Sequence, residues 1–201
     1  MGLTVLVLGL ILFLGPHVLV TMRPQRAAVV KQLGARAYKG LFAALSIAGL
    51  YLTGKGFGMY DTAGPLVLWT APAWTRHITE ALMLPACIFV AAAYLPGSIK
   101  LALKHPMLVG VKTWAVAHLL VNGDAGGIIL FGSVLAWAVY DRITLKHRSD
   151  PGGPSIPQGG LKNDIAAVLV GIVLYLDLAL GFVFHPLVVG RPVFGTPTFG
   201  T

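Results

Sequence analysis

Along the 201-residue chain, apolar residues gather into six runs divided by stretches where charge, glycine and proline collect. The runs cover residues 3–22, 39–55, 77–96, 106–122, 125–141 and 164–185. A hydrocarbon core about 30 Å thick takes about 20 apolar residues per helix, and a backbone in lipid must satisfy its own polar groups. The pattern therefore predicts an all-α protein, a polytopic integral membrane bundle of about six transmembrane helices forming a single domain over 1–201. Nothing basic precedes Leu3 and no small-x-small cleavage site follows the first run, so that run is read as a retained helix rather than a secretory signal.

The stretches between the runs differ in kind. Residues 54–75 hold Gly58, Gly64, Pro65, Pro72, Trp69 and Trp74, which is too broken for a span and rich in aromatics that favour the membrane–water boundary. An interfacial segment is expected there. Residues 149–161, SDPGGPSIPQGGL, show no apolar periodicity and are expected to form a mobile cytoplasmic loop.

Composition agrees with the pattern. Hydrophobic residues make up 56% of the chain and charged residues 11%, where a soluble domain carries roughly a quarter charged. The lone cysteine, Cys87, excludes an intrachain disulfide and a cysteine-ligated metal. The net charge of +8 changes the topology rather than the class. Eleven of the fifteen basic residues fall in alternate loops: Arg23, Arg26, Lys31, Arg36 and Lys39, then Lys100 and Lys104, then Arg142, Lys146, Arg148 and Lys162. The positive-inside rule puts those loops in the cytoplasm and both termini outside it. Membrane topology accounts for the basic residues without a nucleic-acid partner. Phosphate-loop, nucleophile-elbow and zinc-helix motifs are absent from the sequence.

What remains is a set of costly polar groups in apolar surroundings, where an ionisable side chain needs a partner, a cavity or a cofactor. Of six histidines, His147 lies in a basic loop and is read as solvated. His17, His77, His105, His118 and His185 fall within or at the ends of the apolar runs, where neutral imidazole can ligate iron through one nitrogen. Pro16 directly precedes His17, and a kink there would reorient the ring. In the fourth run, Trp114, His118 and Asn122 share a helical face, suiting a flat cofactor, with Asn122 orienting a ring or a propionate. The competing reading is that His118 only hydrogen-bonds a neighbouring helix. His105 before Pro106 reads as a helix cap, with Lys112 further along the same face. His77, Glu80, Arg76 and Asp124 form a candidate outer network, and Asp177 a candidate partner of Lys112.

Five segments together carry a family resemblance: GPH at 15–17, GARAY at 34–38, KHPMLVG at 104–110, WAVAHLLVNGD at 114–124 and HPLVVG at 185–190. The chain resembles the NnrU family of bacterial membrane proteins over nearly its whole length, most specifically in the thirteen-residue step from His105 to His118. The resemblance implies the bacterial inner membrane and an association with denitrification and nitric oxide metabolism. The same pattern is similar to the zeta-carotene isomerases, membrane proteins that bind haem b. It implies haem iron held by His17 and His118; Trp114, Asn122 and Lys112 are the residues then assigned to the pocket, with Lys112 pairing a propionate. The expected ligands are then nitric oxide or a hydrophobic polyene, and the expected partner a membrane reductase. The alternatives are a cofactor-free helper of a nitric oxide or nitrite reductase, and a methyltransferase using Lys104, His105 and Pro106 on S-adenosylmethionine.

Overall fold

The computed structural model describes residues 1–148 and 160–180. Eight helices follow one another there: α1 (Gly2–Thr21), α2 (Arg23–Leu33), α3 (Ala35–Thr62), α4 (Thr75–Tyr94), α5 (Ser98–Leu103), α6 (Pro106–Leu119), α7 (Ala125–Lys146) and α8 (Leu161–Leu180). Five of these, α1, α3, α4, α7 and α8, are long and apolar enough to cross a membrane. The fourth run becomes α6, whose 14 residues reach about 21 Å, short of a core about 30 Å thick. The expected loop 149–161 and His185 fall almost wholly or wholly outside the described residues.

By its internal contacts the chain sorts into two compact units. The first takes residues 1–70 and 122–148, hence α1, α2, α3 and α7; the second takes 71–121 and 160–180, hence α4, α5, α6 and α8.

In the first unit, α1 and α3 run antiparallel at backbone contact. Gly2 faces Tyr60, Leu6 faces Gly56, Gly9 faces Thr53 and Phe13 faces Gly49, so the numbers of each facing pair add to 62. Lipid tails are as apolar as leucine, so membrane helices gain by close packing, and small residues permit it. A Cβ at Gly9 would stand 2.7 Å from Thr53 Oγ1 and 2.8 Å from the Leu52 carbonyl carbon. This explains why α3 runs on to Thr62 where a broken interfacial stretch was expected from residue 54. Gly56 is a seat for Leu6, which is 0% exposed, rather than a helix breaker.

The interfacial stretch proper is shorter and tied to the start of α7. Leu68 and Trp69 donate their amides to the Gly123 carbonyl at 2.8 and 3.1 Å, and Ala125 donates to Leu66 O at 3.0 Å. Asp124 caps α7 by accepting from Gly127 N at 2.8 Å. At the other end of α1, Thr21 donates to Asp141 of α7 at 3.0 Å, and Arg148 donates to Thr21 O at 2.9 Å, satisfying one orphan carbonyl of the helix terminus.

In the second unit, α4 packs against both α6 and α8. Gly110 of α6 lies against Ala86 O and Val90, and Gly171 of α8 against Ile88, while Ala91, Ala92 and Ala167 make a small-residue core beneath Leu95 and Ile99. Thr79 crosses from α4 to donate to Ala117 O at 2.8 Å. The six-residue α5 is held from α8: Asp164 accepts from the Ser98 and Ile99 amides, each at 3.0 Å, and Asn163 donates to Pro96 O at 2.6 Å.

Candidate functional site

His17 sits in the last turn and a half of α1, which continues through Pro16 to Thr21. Its Nδ1 lies 2.6 Å from the carbonyl of Phe13, one turn back. A carbonyl only accepts, so Nδ1 carries the proton and Nε2 the lone pair. The ring is half-buried among aromatics, with centroids at 4.5 Å for Phe13, 5.0 Å for Phe42 of α3 and 5.2 Å for Trp137 of α7. Trp137 meets it edge-on at 83°, and the indole Nε1 is buried without a hydrogen-bond partner. A buried donor left unmet costs about 1–3 kcal/mol, which is a reason to expect an acceptor in this neighbourhood.

His118 repeats the arrangement in the second unit. Its Nδ1 lies 2.9 Å from the carbonyl of Trp114, and the Trp114 ring stands 5.0 Å away at 46°. The tautomer argument again assigns the lone pair to Nε2. His147, at the end of α7, also bonds the carbonyl four residues back, at 2.8 Å, but is exposed. Carbonyl anchoring is thus a habit of helical histidines, and the aromatic contacts and burial set His17 and His118 apart.

The other expected site residues are placed as follows. Trp114 and Lys112 are half-buried on α6 with His118. Asn122 is not on that face: α6 ends at Leu119, and Asn122 lies in the turn beyond, with its Cβ against Gly127. The reason is local, since the pairing of Gly123 with Leu68 and Trp69 and the cap at Asp124 both require the chain to leave the helix. Lys112 and Asp177 lie on helices, α6 and α8, that each pack on α4. Arg76 and Glu80 pair at 3.0 Å with His77 3.7 Å from Glu80, but His77 is 82% exposed and Asp124 serves as the α7 cap instead.

His105 stands at the N-cap position before Pro106 as expected. Lys104 before it has φ 61° and ψ −45°, and the His105 amide reaches Leu103 O at 2.7 Å. That is a γ-turn of the rare positive-φ kind, a strained conformation for a residue with a side chain.

Among the described residues no group of three or more His, Cys, Asp or Glu is placed to hold a metal ion. A haem would change what the protein must supply, because the porphyrin would hold the iron and the chain would need to add only imidazole nitrogen. Two histidines with Nδ1 anchored and flat aromatic neighbours fit that donor set, since a carbonyl bond on the far nitrogen fixes ring orientation and tautomer in metal-ligating histidines. Phe13 was within reach of the sequence, four residues before His17 on one helix. Phe42 and Trp137 had no such signal, as only the folded chain brings them to the imidazole.

Among the described residues, five helices of spanning length in a strongly apolar chain define a polytopic α-helical membrane protein. The chain belongs to the NnrU family, the family described as NnrU protein matching residues 5–193. Comparison with curated proteins and comparison with solved structures each returned no match.

Proposed function

We propose that this NnrU-family membrane protein binds haem b with His17 and His118 as its iron ligands, and that it serves nitric oxide or denitrification metabolism in the bacterial inner membrane. The observation that carries this reading is His17: a half-buried imidazole whose Nδ1 is committed to Phe13 O, ringed by Phe13, Phe42 and Trp137. His118 with Trp114 supplies a second imidazole in the same tautomer.

The chain's own part is to orient and to exclude. The two carbonyl bonds hold each ring against rotation and make Nε2 the ligating atom. Phe13, Phe42 and Trp137 keep water from the His17 ring, and Trp114 does the same beside His118. Lys112, half-buried on the same helix as His118, is the cation this reading assigns to a propionate. When bound, a b-type haem with imidazole ligands supplies one-electron chemistry and, on losing an imidazole, a coordination position for nitric oxide or a polyene.

The test is haem content and the reduced-minus-oxidised optical spectrum of protein produced with haem available. The wild type is expected to show a b-type band, His17→Ala and His118→Ala to lose or shift it, and the exposed His77→Ala to leave it unchanged. A wild-type protein with no haem band overturns the reading and leaves the cofactor-free membrane helper in its place.

A further inference from the structure

The first unit carries a second feature, which shares only Phe42 with the surroundings of His17. A cleft of about 230 Å³ is lined by Val20, Arg26, Tyr38, Lys39 and Phe42. Its two cations come from α2 and the second turn of α3, and Arg26 lies over the Tyr38 ring with its guanidinium carbon 5.4 Å from the centroid. The Tyr38 side chain is 7% exposed and its hydroxyl is buried without a hydrogen-bond partner. The rest of the wall is apolar: Phe42, 6.5 Å from Tyr38 between ring centroids, and Val20, 41% exposed at the end of α1.

We infer that this cleft binds the phosphate of an anionic phospholipid. Two cations, no carboxylate in the lining, and a phenol whose proton has no partner together call for an anion. Arginine matches phosphate oxygens as a planar fork, and lysine adds a point charge. Val20 and Phe42 give the ligand an apolar wall beside its charged group, and exposed Leu41 continues that surface along α3. The level is right as well. α2 buries none of its residues and joins two helices of spanning length, so it lies where headgroups lie. Basic pockets at the ends of membrane helices take anionic headgroups in this way. The site stands whether or not the chain holds haem.

The test uses the full chain purified in a neutral detergent and titrated calorimetrically with dioctanoyl phosphatidylglycerol, dioctanoyl phosphatidylcholine and inorganic phosphate. Phosphatidylglycerol is expected to bind most tightly, with inorganic phosphate competing for the site at lower affinity. Arg26→Gln and Lys39→Gln are each expected to weaken phosphatidylglycerol about fivefold, at about 1 kcal/mol per cation near a headgroup. Arg26→Lys is expected to restore most of the loss. Tyr38→Phe is expected to weaken it about fivefold while raising the melting temperature of the lipid-free protein, because an unmet buried hydroxyl is removed. Equal phosphatidylglycerol affinity in all these variants, or phosphatidylcholine binding as tightly, overturns the site. Inorganic phosphate binding as tightly as the lipid overturns the lipid as its source.

Discussion

At the scale of single residues, the chemistry depends on what a helical histidine does with its two nitrogens. In α1 and α6 the near nitrogen is tied to the carbonyl one turn back, so the far nitrogen carries the lone pair and its direction is set by the helix. Pro16 does not undo this, because the carbonyl it fails to satisfy is that of Leu12, whereas His17 uses Phe13. Lys104 is the other informative residue. Its positive φ ends α5 and sets His105 at the start of α6, and the strain belongs to the side chain it carries. Lys104→Gly is therefore expected to stabilise the protein by about 1 kcal/mol, read as a higher midpoint in a detergent unfolding titration. A lower midpoint would show that the lysine side chain outweighs the strain of its backbone. The histidines and the KHP turn were legible as residues. Trp137 was not, since nothing near position 137 announces a ring meeting an imidazole 120 residues earlier.

At the scale of elements, glycine decides how α1 and α3 meet. Gly2 and Gly9 on one helix and Gly49 and Gly56 on the other each admit the partner's backbone, and they recur every seven residues so as to stay on one face. Gly9→Ala is expected to destabilise by about 1–3 kcal/mol, because the new methyl meets Thr53 Oγ1 and the Leu52 carbonyl carbon. Gly15→Ala, on the same helix with nothing within 4 Å, is expected to be neutral or stabilising. Unfolding titrations of the two variants side by side check the contrast, and equal losses would contradict it. Asp164→Ala is expected to lower the unfolding midpoint and to raise hydrogen exchange at the Ser98 and Ile99 amides that it accepts from.

The same glycines mark the limit of reading the chain in one dimension. Residues 54–62 read as part of a broken stretch, yet Gly56 there meets Leu6, because a break and a close helix crossing leave the same local trace and only the facing helix distinguishes them. The six apolar runs were legible from composition and length. The end of α6 at Leu119 was not, because apolar Leu120 and Val121 continue the run while the backbone turns toward Gly123 and Asp124.

At the scale of the whole molecule, charge sets orientation. The positive-inside rule predicts the cytoplasm for the loops that carry Lys31 and Lys100, and the outer face for the connection before His77. Cys87 is the lone cysteine and is buried, so a Cys87→Ala chain offers a clean background for single labels. Lys31→Cys is expected to resist a membrane-impermeant maleimide in spheroplasts and to react in inverted vesicles, and His77→Cys to do the reverse. The opposite pattern would invert the topology.

The proposal that His17 and His118 ligate haem iron is tested most directly by electron paramagnetic resonance of the oxidised, haem-loaded protein. Two imidazole ligands predict a low-spin ferric signal in the wild type, converting to high-spin in both His17→Ala and His118→Ala. A low-spin signal that survives either substitution would contradict the assignment.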